Sequence, residues 1–247
     1  MRICSWNIQL GRRLDAVLDL VGREAAFRAL DVLALQEASV HDGVPDGAAI
    51  ATALGGEYRY FQATAQRRNG HEQANALIWR NGVVGDSREP AVIPLPGSAQ
   101  IEVGAPESLL LRVVPPQTRM AIRAESESTR IYVAHLDVLG FTHKLEQFRA
   151  VLDDMAARPP VPLTLVAGDL NTFGPVRPHL WKRIAAAAAA AGLVNLTSSI
   201  QHTHWTGQKL DAIYASSNVP FSHRAWTVNA RASDHLPVFA DIEPKAA

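Results

Sequence analysis

Five short apolar segments of this 247-residue chain each run into a polar side chain able to bind a metal ion or a phosphate. Residues 3–8 hold Asn7, and residues 32–35 lead to Glu37. Residues 131–134 lead to His135, residues 163–167 to Asp169 and Asn171, and residues 210–214 contain Asp211. A further pair, Asp234-His235, stands directly before the apolar run Leu236-Pro237-Val238-Phe239. Charged and amide groups are costly beside a core unless they are paired or hold an ion. Taken singly, each has an ordinary explanation: an Asp forms a turn, an Asn satisfies a loop, a His is a hydrogen-bonded core residue. Recurrence at several strand ends is a stronger signal, because strand ends along one edge of a sheet converge in space.

The remaining pattern is that of one domain over residues 1–247, with 47% hydrophobic residues to fill its core. Leu14, Val17, Leu18, Val21, Phe27 and Leu30 fall at helical spacing and predict a helix over 14–30. A second strand, 31–35, ends at Gln36-Glu37. Residues 41–47 read as a loop and 48–54 as a short helix stopped by Gly55-Gly56. Strands follow at 58–63 and 75–79, with the polar, basic stretch 66–73 between them. Residues 81–116 hold six prolines and read as loops broken by short strands. Residues 120–124 and 131–135 pair as a hairpin around a polar tip. A helix over 142–157 has Thr142 as its N-cap, a strand over 163–167 stops at Gly168-Asp169, and a helix over 178–191 ends at Gly192. Residues 210–215 and 238–242 are the last strands. Alternating strands and helices with hairpins mixed in favour a mixed-sheet α/β sandwich over a purely parallel doubly wound sheet.

Lys plus Arg and Asp plus Glu both number 24, so the net charge is zero. That argues against a strongly basic nucleic-acid-binding protein but leaves nucleic acid open as a substrate, since a local basic patch fits within a neutral total. The single cysteine, Cys4, lies in an apolar run and reads as a buried thiol, without an intrachain disulfide. Polar Asn7 and Gln9 come too early for a signal peptide, and no apolar run approaches the roughly 18 residues that span a bilayer. The expectation is a soluble, monomeric, cytoplasmic protein without a membrane span.

The polar set suits hydrolysis of a phosphate ester. A hard cation such as Mg²⁺ takes oxygen ligands and keeps several waters, so one or two carboxylates suffice. Glu37 is the best candidate, with Asn7 and Asp234 nearby, although the pattern alone does not settle which carboxylate binds. Asp169 can orient or deprotonate water, and the Asn171 amide can donate to a phosphate oxygen. His235 paired with Asp211 can donate to the phosphate as well. No zinc spacing, Walker A, GxGxxG or GxSxG motif is present, and the HTH at residues 202–204 reads as loop.

In order, ICSWNI, DVLALQE, AHLD, AGDLN, KLDAIY and SDHLPV resemble the motifs of the endonuclease/exonuclease/phosphatase superfamily. This is the deoxyribonuclease-I-like group that also holds AP endonucleases, sphingomyelinases and inositol-polyphosphate phosphatases. The resemblance runs from Arg2 to about Ile242. NALIWR at 75–80, Arg119 and KLEQ at 144–147 add secondary echoes. The resemblance implies a four-layer α/β sandwich, two packed mixed β-sheets flanked by helices. It implies Mg²⁺ or Mn²⁺ as cofactor, with Glu37 as principal ligand and Asn7 and Asp234 in or beside its shell. It implies that Asp169 activates water, Asn171 holds the phosphate, and His235, oriented by Asp211, contacts the scissile phosphate together with His135. Arg119 and Asn75 become candidate substrate contacts.

Gln9 stands where AP endonucleases of the superfamily usually carry Asp, and their Asn-rich segment after GDxN is missing, which disfavours abasic-site repair. A nuclease is the leading reading, with Arg12, Arg13, Arg67, Arg68, Arg80 and Arg119 as candidate contacts to a nucleic-acid backbone. A phosphatase or phosphodiesterase acting on a small molecule or lipid head group is the alternative, its pocket shaped by residues 83–107. A catalytically inactive binding module is the third, and the full set of site residues argues against it.

Overall fold

In the computed structural model, strand β1 (Arg2–Asn7) is buried along almost its whole length, and its alternation reveals the layering. Cys4 and Trp6 join an apolar cluster closed by Val17, Phe27 and Ile50. Ile3 joins a different cluster, shared with Ile131, Leu165 and Ile213. Successive side chains of a strand point to opposite faces. β1 therefore has helices on one side and a second sheet on the other. The structure describes residues 1–68, 70–85, 89–97, 117–173 and 178–245.

The first sheet contains β1, β2 (Val32–Ala38), β5 (Tyr58–Arg68), β6 (His71–Arg80), β13 (Phe221–Thr227) and β14 (Val238–Pro244), in the order β13-β14-β1-β2-β6-β5. The second contains β7 (Ala91–Pro94), β8 (Met120–Glu125), β9 (Thr129–His135), β10 (Leu163–Asp169), β11 (Val194–Asn195) and β12 (Asp211–Ser217), in the order β11-β12-β10-β9-β8-β7. β1–β2 and β9–β10 pair in parallel, while β1–β14 and β10–β12 are antiparallel, so both sheets are mixed. Helices α1 (Leu14–Arg23), α2 (Ala25–Arg28) and α3 (Asp46–Leu54) cover the outer face of the first sheet. Helices α4 (Phe141–Ala156) and α5 (Pro178–Ala190) cover the second, packing Phe148, Leu180 and Ile184 on Tyr132, Val166 and Tyr214. This is the four-layer α/β sandwich with two packed mixed sheets that the sequence implied. Among the described residues no helix is long and apolar enough to cross a membrane.

Several element boundaries depart from the sequence reading, each for a local reason. The single helix over 14–30 is two, because Glu24 is extended (φ −77°, ψ 124°) and its carboxylate caps the amide of Ala26. Val17, Val21, Phe27 and Leu30 are buried as expected, and Leu14 and Leu18 pack at the margin. The loop over 41–47 contains a miniature hairpin, β3 (Val40–His41) with β4 (Val44–Pro45), and α3 already begins at Asp46. The polar stretch 66–73 continues both flanking strands. Gln66 bonds Gln73 at 2.5 Å and Arg67 bonds Glu72 at 2.5 Å, so cross-strand polar pairs replace apolar alternation. α4 starts at Phe141 with Gly140 at its N-cap and no side-chain cap, so Thr142 lies inside the helix. α5 ends as predicted, with Gly192 at φ 75° and the amide of Leu193 bonded to the carbonyl of Ala188. β11 and β13 were not foreseen; Ser222, His223 and Arg224 are exposed in succession, which leaves β13 polar on both faces, as suits an edge strand. Of the segment 81–116, β7 is the one strand among the described residues; 86–88 and 98–116 lie outside them.

Candidate active site

The inward-facing positions of the second sheet form rows across its strands. Ile131, Leu165 and Ala215 make one row and Val133, Ala167 and Ile213 the next, all in the core between the sheets. The following row is His135, Asp169 and Asp211. One period of two thus converts an apolar core into a polar site without any change of direction. Gly168 permits this row to form, because a Cβ there would lie 1.8 Å from the carbonyl oxygen of Ala134.

The first sheet meets this row with Asn7 and Glu37. Asn7 continues the inward parity of Ile3 and donates its amide to Asp169 Oδ2 at 3.0 Å, while its own oxygen accepts from the amide of Gln9 at 3.0 Å. Strict alternation would turn Glu37 toward the helices. A bulge prevents it: Leu35 pairs with Ala76 and Ala38 with Ala74, so one extra residue sits between them. Leu35 and Ala38 both face the helix side. Gln36 and Glu37 both remain on the inter-sheet side, Glu37 in the left-handed region at φ 51°. That conformation costs a residue with a Cβ about 1–2 kcal/mol. The bulge also explains why β2 runs to Ala38, past the expected stop at Gln36-Glu37.

Asp169 and Asp211 face each other as like charges, both nearly inaccessible. His235 lies over them, with Nδ1 at 2.8 Å from Asp211 Oδ2 and Nε2 at 3.7 Å from Asp169 Oδ2. Its backbone carbonyl accepts from the Trp6 indole at 3.0 Å. Burial alone would lower its pKa, but Asp211, Asp169 and Asp234 outweigh that and push it up to about 10. His235 is therefore an imidazolium at neutral pH, donating from Nδ1 to Asp211 and presenting Nε2–H to the site.

His135 is the opposite case. Burial, then the charges of Arg119 and His235, hold its pKa well below the ordinary imidazole range. Arg119 Nη1 lies 2.9 Å from His135 Nδ1. A guanidinium can only donate, so Nδ1 accepts and the proton sits on Nε2. That nitrogen faces Asp169 Oδ2 at 3.6 Å and Glu37 Oε1 at 3.9 Å. Arg119 is buried and bonded also to Gln117 and to Asp137 Oδ1 at 3.4 Å. It thus reaches the site through His135. Asp137 is in turn held by His143 at 2.9 Å and Gln147 at 3.2 Å.

The other sequence-predicted residues fall as follows. Asp234 accepts from Gln9 Nε2 at 2.8 Å and from Ser233 at 3.1 Å. Burial raises its pKa, but His204, His235 and Ser233 prevail and lower it. Asn171, at φ 49°, donates its backbone amide to Asp169 Oδ1 and one side-chain N–H to the carbonyl of Leu136, both at 3.0 Å. Its second N–H remains on the same nitrogen. Asn75 is buried and donates to the carbonyl of Met120 at 2.9 Å, tying one sheet to the other. Arg80 lies at the opposite end of the strands, over the Tyr58 ring and 3.5 Å from Asp31, so it is no contact of this site. Arg67 belongs to a strand rather than a loop and pairs with Glu72. Arg12 and Arg13 are exposed just after the turn that follows β1; the side chain of Arg68 lies outside what is described.

His204 escaped the sequence reading. It was read as loop, yet it forms a β-bridge with His235, and the two rings meet edge to face at 4.7 Å. Thr203 fixes it by accepting from the amides of Leu210 and Asp211 at 2.9 and 3.1 Å. Nothing in the spacing of residues 202–204 announces a partner 31 positions later.

The donor set fits a divalent cation. Among the described residues Glu37 has one long hydrogen bond, from Gln73 at 3.4 Å, and burial together with Asp169 and Asp234 raises its pKa against the pull of Arg119 and His235. Asp211 Oδ1 is buried with no partner among the described residues. Among those residues, one donor atom each of His204, Asp234 and His235 falls within 4.8 Å of the others, as do those of Asp169, Asp211 and His235. Glu37 falls in neither group, and a hard cation prefers carboxylate oxygens to a protonated His235, which offers no lone pair.

A family model, the Endonuclease/Exonuclease/phosphatase family, matches residues 4–235. The chain belongs to this family. Its members are in general phosphoester hydrolases, typically dependent on a divalent metal. Solved structures of other members share the fold. An endonuclease/exonuclease/phosphatase family protein from Leptotrichia buccalis C-1013-b aligns at 14% identity and TM-score 0.70, over 98% of this chain and 99% of that one. The human Nocturnin catalytic domain with bound sulfate anion aligns at 18% identity and TM-score 0.71, over 99% and 94%. D. rerio TDP2 complexed with single strand DNA product aligns at 15% identity and TM-score 0.65, over 98% of each chain. A search of the curated proteins finds no match.

Proposed function

We propose that this family member is a Mg²⁺- or Mn²⁺-dependent phosphodiesterase that cuts nucleic-acid strands. The observation that carries the reading is a charged histidine, His235, held by Asp211 and aimed at Asp169 beside the under-compensated carboxylate of Glu37. Glu37, with Asn7 and Asp234 beside it, would hold the metal, which supplies charge to the phosphate and lowers the cost of its developing negative charge. Asp169 accepts from Asn7 and Asn171 and orients the attacking water, taking its proton as the water oxygen bonds phosphorus; the bond from phosphorus to the leaving strand's oxygen breaks, and that oxygen takes a proton from solvent. Its pKa is raised, by burial and then by Asp211. His235 Nε2–H donates to a non-bridging phosphate oxygen, and His135 Nε2–H supplies a second donor. The free N–H of Asn171 serves the same charge. D. rerio TDP2, which shares the fold and is complexed with single strand DNA product, supports nucleic acid as the substrate class.

The test is turnover of bis-p-nitrophenyl phosphate, a single-stranded oligonucleotide and a supercoiled plasmid with Mg²⁺ or Mn²⁺, against EDTA and Asp169→Asn. Metal-dependent cutting of the nucleic acids, lost in the variant, is the expected result. Full activity in metal-stripped enzyme rejects the metal assignment. Turnover confined to the small ester moves the substrate to small phosphate esters. We further take the protein to act as a cytoplasmic monomer, in keeping with its one free, buried thiol, Cys4.

A further inference from the structure

Of the five tryptophans, four are buried or half-buried, and Trp205 is 74% exposed. A mobile surface ring would carry no argument, but the backbone of Trp205 is fixed. Its amide donates to the carbonyl of Asp234 at 2.9 Å, and the bridge between His204 and His235 lies one residue away. The turn that follows is closed by the amide of Gly207 on the carbonyl of His204 at 2.9 Å. The Trp205 ring packs beside the His204 ring at 5.8 Å, and the His204 ring touches that of His235 at 4.7 Å. The exposed indole is thus the outer member of a short row of touching rings that starts at the proposed phosphate-binding histidine.

The ring borders a cleft of about 720 Å³, whose lining includes Asp234, Arg13, Arg231 and Asn229. That volume lies within the range of small-molecule sites, roughly 300–1,000 Å³. Arg13 and Arg231 are both exposed and make no ion pair or hydrogen bond with other described residues. A planar apolar face with two guanidinium groups uncommitted among the described residues, continuous with the proposed phosphoesterase site, matches an unpaired nucleobase with its flanking phosphates. A ringless phosphate ester would leave the indole in water.

We propose that Trp205 is the stacking platform for an unpaired nucleobase next to the scissile phosphate, with Arg13 and Arg231 taking the neighbouring backbone phosphates. The assignment rests on the phosphodiesterase reading and adds to it a preference for single-stranded substrate. Stacking reads a π-face rather than a hydrogen-bond pattern, so little base preference follows.

The experiment is a double cycle on binding, in the Asp169→Asn background with Mg²⁺ so that nothing is cut. A labelled oligothymidylate and an abasic oligomer with the same sugar-phosphate backbone are titrated by fluorescence anisotropy, against Trp205 and against Trp205→Ala and Trp205→Phe. With Trp205 the thymidylate is expected to bind about 5- to 100-fold tighter than the abasic oligomer. Trp205→Ala should erase that ratio, and Trp205→Phe should restore most of it. Arg13→Ala with Arg231→Ala should weaken both ligands alike and flatten the salt dependence. Equal affinity for the two oligomers with Trp205 in place overturns the proposal. So does a ratio that survives Trp205→Ala, or an equal loss of both oligomers in that variant. If the unmodified enzyme also fails to hydrolyse bis-p-nitrophenyl phosphate, the phosphodiesterase reading falls first; if it hydrolyses the ester but ignores the base, only the platform is lost.

Discussion

The two ends of β1 carry similar residue types and opposite electrostatics. At its start, Arg2 makes a two-pronged pair with Asp241 at 2.7 and 3.0 Å, and its backbone amide donates to Asp31 at 2.7 Å. Each charge has a partner, and Asp241 is held below the usual carboxylate range by hydrogen bonding to Arg2. At its end, Asn7 enters a group of carboxylates in which Asp169 opposes Asp211, Glu37 is raised by burial, and Asp211 Oδ1 has no partner among the described residues. Charge that is matched costs the fold little, and buried charge left unmatched costs stability unless a ligand completes it. The first end is built to hold the sandwich together, the second to hold something else.

The sharpest break of this comparison is Asp169→Asn. We expect kcat to fall by about 10² to 10⁴ while the melting temperature stays level or rises, because the substitution relieves repulsion with Asp211. A melting temperature several degrees lower with near-normal kcat would show Asp169 to be structural. Gly168→Ala should cost about 3 kcal/mol or more, since its Cβ would meet the carbonyl of Ala134; calorimetry showing less than about 1 kcal/mol would mean that β9 and β10 can separate freely.

Mg²⁺ should stabilise the protein by about 2.7 kcal/mol at 100 times its dissociation constant, and Glu37→Gln should remove most of that gain. A melting curve indifferent to Mg²⁺ and EDTA would contradict the proposed ligands.

Asp241→Asn is the mirror experiment. It should cost about 1–2 kcal/mol of stability at neutral pH and leave kcat unchanged. The folded pKa of Asp241 is depressed, so its contribution is fully present above the unfolded value near 3.8 and disappears as pH falls through the folded value. Denaturant titrations of the two proteins should therefore begin to approach each other below about pH 4 and coincide once the pH lies below the folded value. A difference that persists in acid would assign the loss to packing rather than charge.

Much of this was legible in the sequence, because a strand's period of two carries information along the chain. Asn7, His135, Asp169 and Asp211 could be singled out as strand-end polar groups, and His235 as the residue ahead of the last apolar run. Resemblance to a family of ordered motifs supplied the four layers. Glu37 was singled out as well, but not its inward direction, which depends on a bulge paired against Ala74 and Ala76 of another strand. The sequence could not separate Arg80 from the site, since only the strand direction puts that residue at the far end. His204, Trp205 and the tautomer of His135 were equally invisible, for each depends on a contact with a residue distant in the chain. Local pattern fixes which face a side chain takes. Which other faces it meets, and hence its charge state, is decided when the two sheets close on each other and exclude water from the row between them.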